Sequence, residues 1–344
     1  MKGPWPARRC GAGTALLAAA LALAGCAHRA PQAPPSPLRV HGIKSVLELG
    51  PMLRAAETAR GPVLVREGNI LNLWKDEAPV APGAQGESYG AMVAPSWPGH
   101  ADLAGNAETQ ALRQSLIHSD LRIILTVTEG VYRIVARRSS GIARLEDLRG
   151  KRIATMPSTS GAFFLNRMLA TAGLTEADVV IVPGMAKDGA DALIAGRADA
   201  IAIWEPEPER AFAALGGDAV EIASGGIYRE LYNLQSTAGT LADPVKRAQI
   251  VAYVRALIGA CREATESPVR IQALMAESSG FDPALIRAAW HHHRFSCALP
   301  ADLLDVLVAE EQWIAALDKR APRPRAELAK LIDPSILAEA LRPE

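Results

Sequence analysis

Lys151-Arg152-Ile153-Ala154-Thr155-Met156-Pro157-Ser158-Thr159-Ser160-Gly161 decides the fold. Its first half is short, carries Ile153-Ala154 between polar residues and is followed by a proline, which predicts a buried strand over 151–155. Its second half opens a helix. From Ser160 to Ala172 the residues Phe164, Leu165, Met168 and Leu169 share one face, and Gly173 follows as a C-cap. The pattern then repeats: a strand at Val179–Val182, a helix at Asp188–Ala195 ended by Gly196, a strand at Ala200–Trp204, a helix at Glu207–Leu215 and a strand at Ala219–Ile222. Thr175-Glu176-Ala177-Asp178 has the form of a capping box. Strands separated by single helices predict an α/β, doubly wound sheet with its ligand crevice at the strand C-termini.

Upstream, Val46–Gly50 reads as a strand stopped by Pro51, Met52–Ala59 as helical and Gly61–Val65 as a second strand. The Pro- and Gly-rich run 69–101 reads mainly as loop. Leu121–Thr128 is rich in β-branched residues and predicts a strand, and Val131–Ala136 predicts another. After a strand at Leu231–Ser236 the chain turns helical, with helices expected at 244–264, 267–276, 283–290 and 301–317. A middle block inserted into another domain gives two chain crossings, which is a hinge geometry. The expected division is lobe I from 41–134 and 235–344, and lobe II from 135–234.

The first 25 residues read as an export signal. Lys2, Arg8 and Arg9 precede an Ala/Leu-rich run that is shorter than the roughly 20 apolar residues of a membrane-spanning helix. Leu23-Ala24-Gly25-Cys26 resembles a lipobox, which makes Cys26 the expected lipidation site and places the protein in the periplasm or at the cell surface, anchored to a membrane. Residues 26–40, rich in proline, read as an extended tether. Cys261 and Cys297 would then share an oxidising compartment, where they either pair or stay as buried thiols. Lys plus Arg and Asp plus Glu both number 37, so no global field recruits nucleic acid.

The chain resembles a known family. Ser140-Gly141-Ile142, Asp147-Leu148-Arg149-Gly150-Lys151-Arg152-Ile153-Ala154, Ala192-Leu193-Ile194-Ala195-Gly196-Arg197-Ala198-Asp199-Ala200 and Trp204-Glu205-Pro206 carry the resemblance, with support from Glu311-Gln312-Trp313 in the tail. Together they are similar to the periplasmic solute-binding proteins of ABC importers for nitrate, aliphatic sulfonates and taurine, a group related to the thiamine-pyrimidine binding proteins. The resemblance implies a type II periplasmic-binding-protein fold, two lobes on a two-stranded hinge. It implies capture of a small anionic solute in the interlobe cleft, with an ABC permease and its ATPase as partners and no cofactor. The alternatives are an enzyme on the same fold, of the thiamine-pyrimidine synthesis type, and a solute-sensing lipoprotein.

Ser158, Thr159, Ser160 and Gly161 link a buried strand to a helix start, where free amides and the helix dipole favour an anion. One of these hydroxyls could instead only cap the helix. Gly105, Asn106 and Thr109 have the same strand-to-helix form in the other lobe. Trp204 could wall an apolar tail, and Glu205 could hold an amine or brace a loop. Gln235 lies near the expected second crossing with Tyr232 and Asn233, and Arg133 reads as a solvated hinge charge. His291-His292-His293 reads as exposed loop, because adjacent positions do not share a helix face, so no metal site is expected. No Gly-rich nucleotide loop or Gly-x-Ser-x-Gly elbow is present, and no catalytic constellation is assignable.

Overall fold

Two sheets divide the chain. The computed structural model describes residues 36–74 and 99–343. The signal segment, Cys26 and most of the tether lie outside the described residues, as do residues 75–98. From Pro37 onward the chain forms one unit.

The first sheet begins where the tether was expected to continue. Leu38–Gly42 is strand β1, with Leu38 and Val40 buried. It lies between β2 (Val63–Glu67) and β3 (Leu103–Ala107), parallel to both. The Pro-rich run before Leu38 masks this strand in the sequence. The segment 46–50 is not a strand. Val46 and Leu47 lie in a turn, and Leu49–Thr58 is helix α1. Pro51 is tolerated there because a first-turn residue has no intrahelical partner for an N–H. Helix α2 (Glu108–Gln114) follows β3 directly. Strand β4 (Leu121–Gly130) runs to the first crossing.

The chain enters the second sheet at β5 (Arg133–Arg137). There β6 (Arg152–Thr155), β7 (Val180–Pro183) and β8 (Ala200–Ala202) are mutually parallel, alternating with α3 (Ser160–Thr171), α4 (Ala186–Ile194) and α5 (Glu207–Leu215). Strand β9 (Ala219–Ala223) closes the order β7-β6-β8-β5-β9. Phe164, Leu165, Met168 and Leu169 are buried on α3, and Gly173 takes φ +67° to end the turn after it. This is the block whose alternation the sequence declares.

The return crossing runs over 224–229. Strand β10 (Glu230–Thr237) inserts antiparallel between β3 and β4 in the first sheet, giving, with β11 at His293–Arg294, the order β11-β4-β10-β3-β1-β2. Residues 230–234, expected in lobe II, therefore belong to the first sheet. Asp243 caps the long helix that follows, accepting from the amides of Val245 (2.8 Å) and Lys246 (3.1 Å). Counting the short α6 (Ala238–Ala242), this long helix is α7 (Pro244–Glu266); α8 (Val269–Ser279), α9 (Pro283–Ala289), strand β11 (His293–Arg294) and α10 (Leu303–Leu317) come next. The tyrosine hydroxyl of Tyr253 on α7 donates to the Met52 carbonyl at 3.0 Å, pinning α7 to α1. Cys261 on α7 is joined to Cys297 by a disulfide, with Cα atoms 6.0 Å apart, and both residues are buried.

The histidine run is not an exposed loop. His291 is exposed, while His292 and His293 are buried. His293 Nε2 lies 3.3 Å from Glu48 Oε1, so the two side chains pair inside the fold, as an ion pair when the imidazole is protonated. Among the described residues no group of His, Cys, Asp or Glu is arranged to hold a metal ion.

Candidate functional site

Parallel strands place the residues that follow them along one edge, and the two sheets turn these edges toward each other. Between them lies a cavity of about 250 Å³. From the first lobe come Ser45 and Val46 after β1, Glu67 and Asn69 at the end of β2, Asn106 and Ala107 at the end of β3, and Gln110 on α2. Glu230 and Tyr232 enter from the start of β10. From the second lobe come Met156, Thr159 and Ser160 after β6, Met185 after β7 and Trp204 after β8. Trp204 packs against apolar clusters of both lobes.

The loop after β6 is built as a tight entry to α3. Ser158 holds the left-handed φ of +64°, uncommon for a residue with a Cβ. Its carbonyl accepts from Gln110 Nε2 at 3.2 Å, a bond that spans the lobes. Thr159 turns its hydroxyl back onto the Met156 carbonyl at 2.7 Å. Gly161 does not line the cavity; a Cβ there would stand 3.2 Å from the Ala202 carbonyl, so it lets α3 seat against β8. The Ser160 hydroxyl donates to Glu230 Oε1 at 2.8 Å and lies 3.0 Å from the Tyr132 hydroxyl, which then donates to it. The hydroxyl expected to greet an anion is thus engaged by a carboxyl group.

That carboxyl group belongs to an acidic core. Glu230, Glu108, Glu310 and Glu48 are all buried. Burial first, and then the neighbouring Glu48 and Glu108, push the Glu230 carboxyl well above the usual carboxylate range. Burial likewise raises Glu310, with Glu108 as its charged neighbour. Glu108 accepts from the Tyr228 hydroxyl at 2.7 Å and from the Leu231 amide at 2.9 Å, which fixes the entry to β10. Among the described lining residues there are two carboxyl groups, Glu67 and Glu230, and no Lys, Arg or His.

The remaining expected residues support the site from behind. At Gly105 a Cβ would fall 2.7 Å from the Tyr232 ring, so the absent side chain makes room for that ring. Thr109 is fully buried behind the cavity wall. Gln235 donates from Nε2 to the Asn106 carbonyl at 3.0 Å and positions that strand end. Glu205 does not face the cavity. It accepts from Arg133 Nε at 2.8 Å and from the Glu209 amide at 3.0 Å. Arg133 is not a solvated hinge charge either: it is buried and also bonded to Glu209 and Glu221. Burial opposes its charge, but Glu205 foremost among its partners holds the guanidinium above its ordinary value. Glu67, Gln110 and Glu230 were missed. The signal for Glu230 is a charged residue opening an otherwise uncharged strand, Glu230-Leu231-Tyr232-Asn233-Leu234.

A family model described as NMT1/THI5 like matches residues 85–276, more than half of the chain. No curated protein matches the sequence. Among solved structures, the alkanesulfonate-binding protein SsuA from Xanthomonas axonopodis pv. citri bound to MOPS is 21% identical, with a TM-score of 0.62, over 88% of this chain and 99% of that one. The periplasmic nitrate-binding protein NrtA from Synechocystis PCC 6803 is 10% identical, with a TM-score of 0.64, over 90% of this chain and 89% of that one. A mutant of DszB in complex with biphenyl-2-sulfinic acid is 16% identical, with a TM-score of 0.60, over 88% of this chain and 98% of that one. At these identities the likeness is one of fold, the two-lobed type II periplasmic-binding-protein fold.

Proposed function

Because this chain belongs to the NMT1/THI5-like family, we propose that it is the solute-binding subunit of an ABC importer, closing its two lobes on a small solute. One observation carries this reading: the cavity is walled by strand ends of both sheets, with Glu230 directly after the return crossing and Ser160 bonded to Tyr132 at the first. Hinge closure around a ligand needs that placement. A cavity of about 250 Å³ suits a small metabolite rather than a drug-sized molecule. The lipobox at Cys26 adds that the protein is exported and tethered by lipid, with the permease and its ATPase as partners. Sulfonate and nitrate are what the solved binding proteins are named for. They belong in any screen, although the described lining offers such anions no cationic side chain.

The test is ligand-dependent thermal stabilisation across sulfonates, taurine, nitrate, pyrimidines, carboxylates and amines. Linkage predicts about 2.7 kcal/mol of stabilisation at a hundredfold excess over Kd. Silence across the whole set refutes solute capture. DszB, a desulfurization enzyme, shares this fold. Turnover of a bound solute, followed by mass spectrometry, would therefore move this chain to the enzyme class. Cys26→Ser is expected to release the chain from the membrane fraction, and continued membrane association would contradict the lipid anchor.

A further inference from the structure

We infer that the interlobe cavity selects a small organic cation, a protonated amine or amidine, with its charged end toward Glu230 and its body against Trp204 and Tyr232. This rests on the capture reading above and adds the charge of the guest.

The cavity is largely apolar, walled by Ile43, Val46, Met156 and Met185, and among its described lining residues the only carboxyl, amine, guanidinium or imidazole side chains are acids. Glu67 and Glu230 supply carboxyl groups. Gln110 is buried at 2% exposure, and among the described residues its Oε1 has no hydrogen-bond partner while its Nε2 is held by Ser158. A buried amide oxygen without a partner costs stability unless a ligand donates to it. Trp204 and Tyr232 add aromatic surface, which attracts a cation through the ring quadrupole. Trp204 Nε1–H also lacks a partner among the described residues, so the guest carries an acceptor besides its donor. The hydroxyl donors nearest the α3 start are already used, Thr159 on Met156 and Ser160 on Glu230. An anion there would face the Glu230 carboxyl, whereas a cation gains from it.

Proton linkage supports the same charge. Burial, Glu48 and Glu108 raise the Glu230 carboxyl well above the usual carboxylate range, toward its protonated form. Ser160 on α3, Tyr132 at the first crossing, Tyr228 at the second, Glu108 on α2, Glu310 on α10 and the Glu48–His293 pair complete its titratable and polar surroundings. Among these described residues no free cation stands, because His293 is committed to Glu48. A bound cation stabilises the ionised form, so binding releases a proton and weakens as pH falls.

The test titrates the full chain with benzylammonium, benzamidinium, benzyl alcohol, benzoate and benzenesulfonate, matched in size and differing in charge. The cations are expected to bind roughly 10- to 100-fold more tightly than the anions, the range of one charge-assisted hydrogen bond. Their heat of binding should change with the ionisation enthalpy of the buffer, as proton release requires. Glu230→Gln keeps the shape and hydrogen bonding of the protonated acid. It should abolish the cation preference and the proton release while the unliganded melting temperature holds. If Glu230→Gln fails to fold, the wild-type selectivity and buffer dependence decide alone. Tighter binding of benzoate or benzenesulfonate overturns the cation assignment and leaves solute capture standing. Binding of none of the probes overturns both for guests of this size.

Discussion

Arg133→Met is the sharpest test of how the second lobe is held together. The guanidinium is 4% exposed and reaches Glu205 at 2.8 Å, Glu209 at 2.5 Å and Glu221 at 2.7 Å. Glu205 is equally buried, Glu209 is 15% exposed and Glu221 is 39% exposed. The substitution keeps most of the side-chain volume and strands Glu205 without its cation. Removing one partner of a buried pair costs about 3–5 kcal/mol, whereas the Glu221 contact, near solvent, adds at most about 1 kcal/mol. At about 2–4 °C per kcal/mol for chains of this scale, the melting temperature should fall by roughly 6–20 °C. Glu205→Gln in the same chain removes the stranded charge and should return much of the loss, so the double-mutant cycle should show coupling of about 2 kcal/mol or more. Calorimetric melting of the four proteins at pH 7 reads this out. A single-mutant loss below about 1 kcal/mol, or simple additivity in the cycle, refutes the buried-network account.

Three further outcomes follow from particular contacts. Gly105→Ala places a Cβ 2.7 Å from the Tyr232 ring and should cost about 1–3 kcal/mol while weakening solute binding; unchanged binding would remove Tyr232 from the site. Reducing Cys261–Cys297, which closes a loop with a sequence separation of 36, should lower stability by about 4 kcal/mol on the chain-entropy estimate, and a reduced protein as stable as the oxidised one would contradict a structural role. The pKa of His293 is raised despite burial because Glu48 lies against it. Its pairing energy is therefore fully present below the unfolded histidine value of about 6.5 and is lost as pH rises through the higher folded value. The stability of His293→Gln should accordingly depend less on pH across that window, and an unchanged pH slope would show that the pair contributes nothing.

The second lobe was legible because its order is local. Strand, turn and helix follow one another within a few tens of residues, and Phe164, Leu165, Met168 and Leu169 announce their face by spacing alone. The first lobe was harder to read. Leu38–Gly42 hides beside prolines, and Val46–Gly50 has the composition of a strand but is buried as a turn and helix start. The acid that opens β10 was visible at Glu230, but its place in the cavity was not, because β10 reaches that place through pairing with strands about a hundred residues or more upstream. The Ser158–Ser160 run was visible, but its chemistry was not: only the fold brings Glu230 onto the Ser160 hydroxyl. The burial of Arg133 and His293 was equally unreadable, since their partners come from distant elements.

The most direct measurement is a crystal structure of the full chain with whichever screened solute gives the largest melting shift. Electron density is expected between Trp204 and Tyr232, contacting Glu230 and Gln110, with the two lobes closed over it. Density confined to a separate cavity of about 270 Å³, lined by Arg167, Arg229 and Arg294, would contradict capture in the cleft between the strand ends.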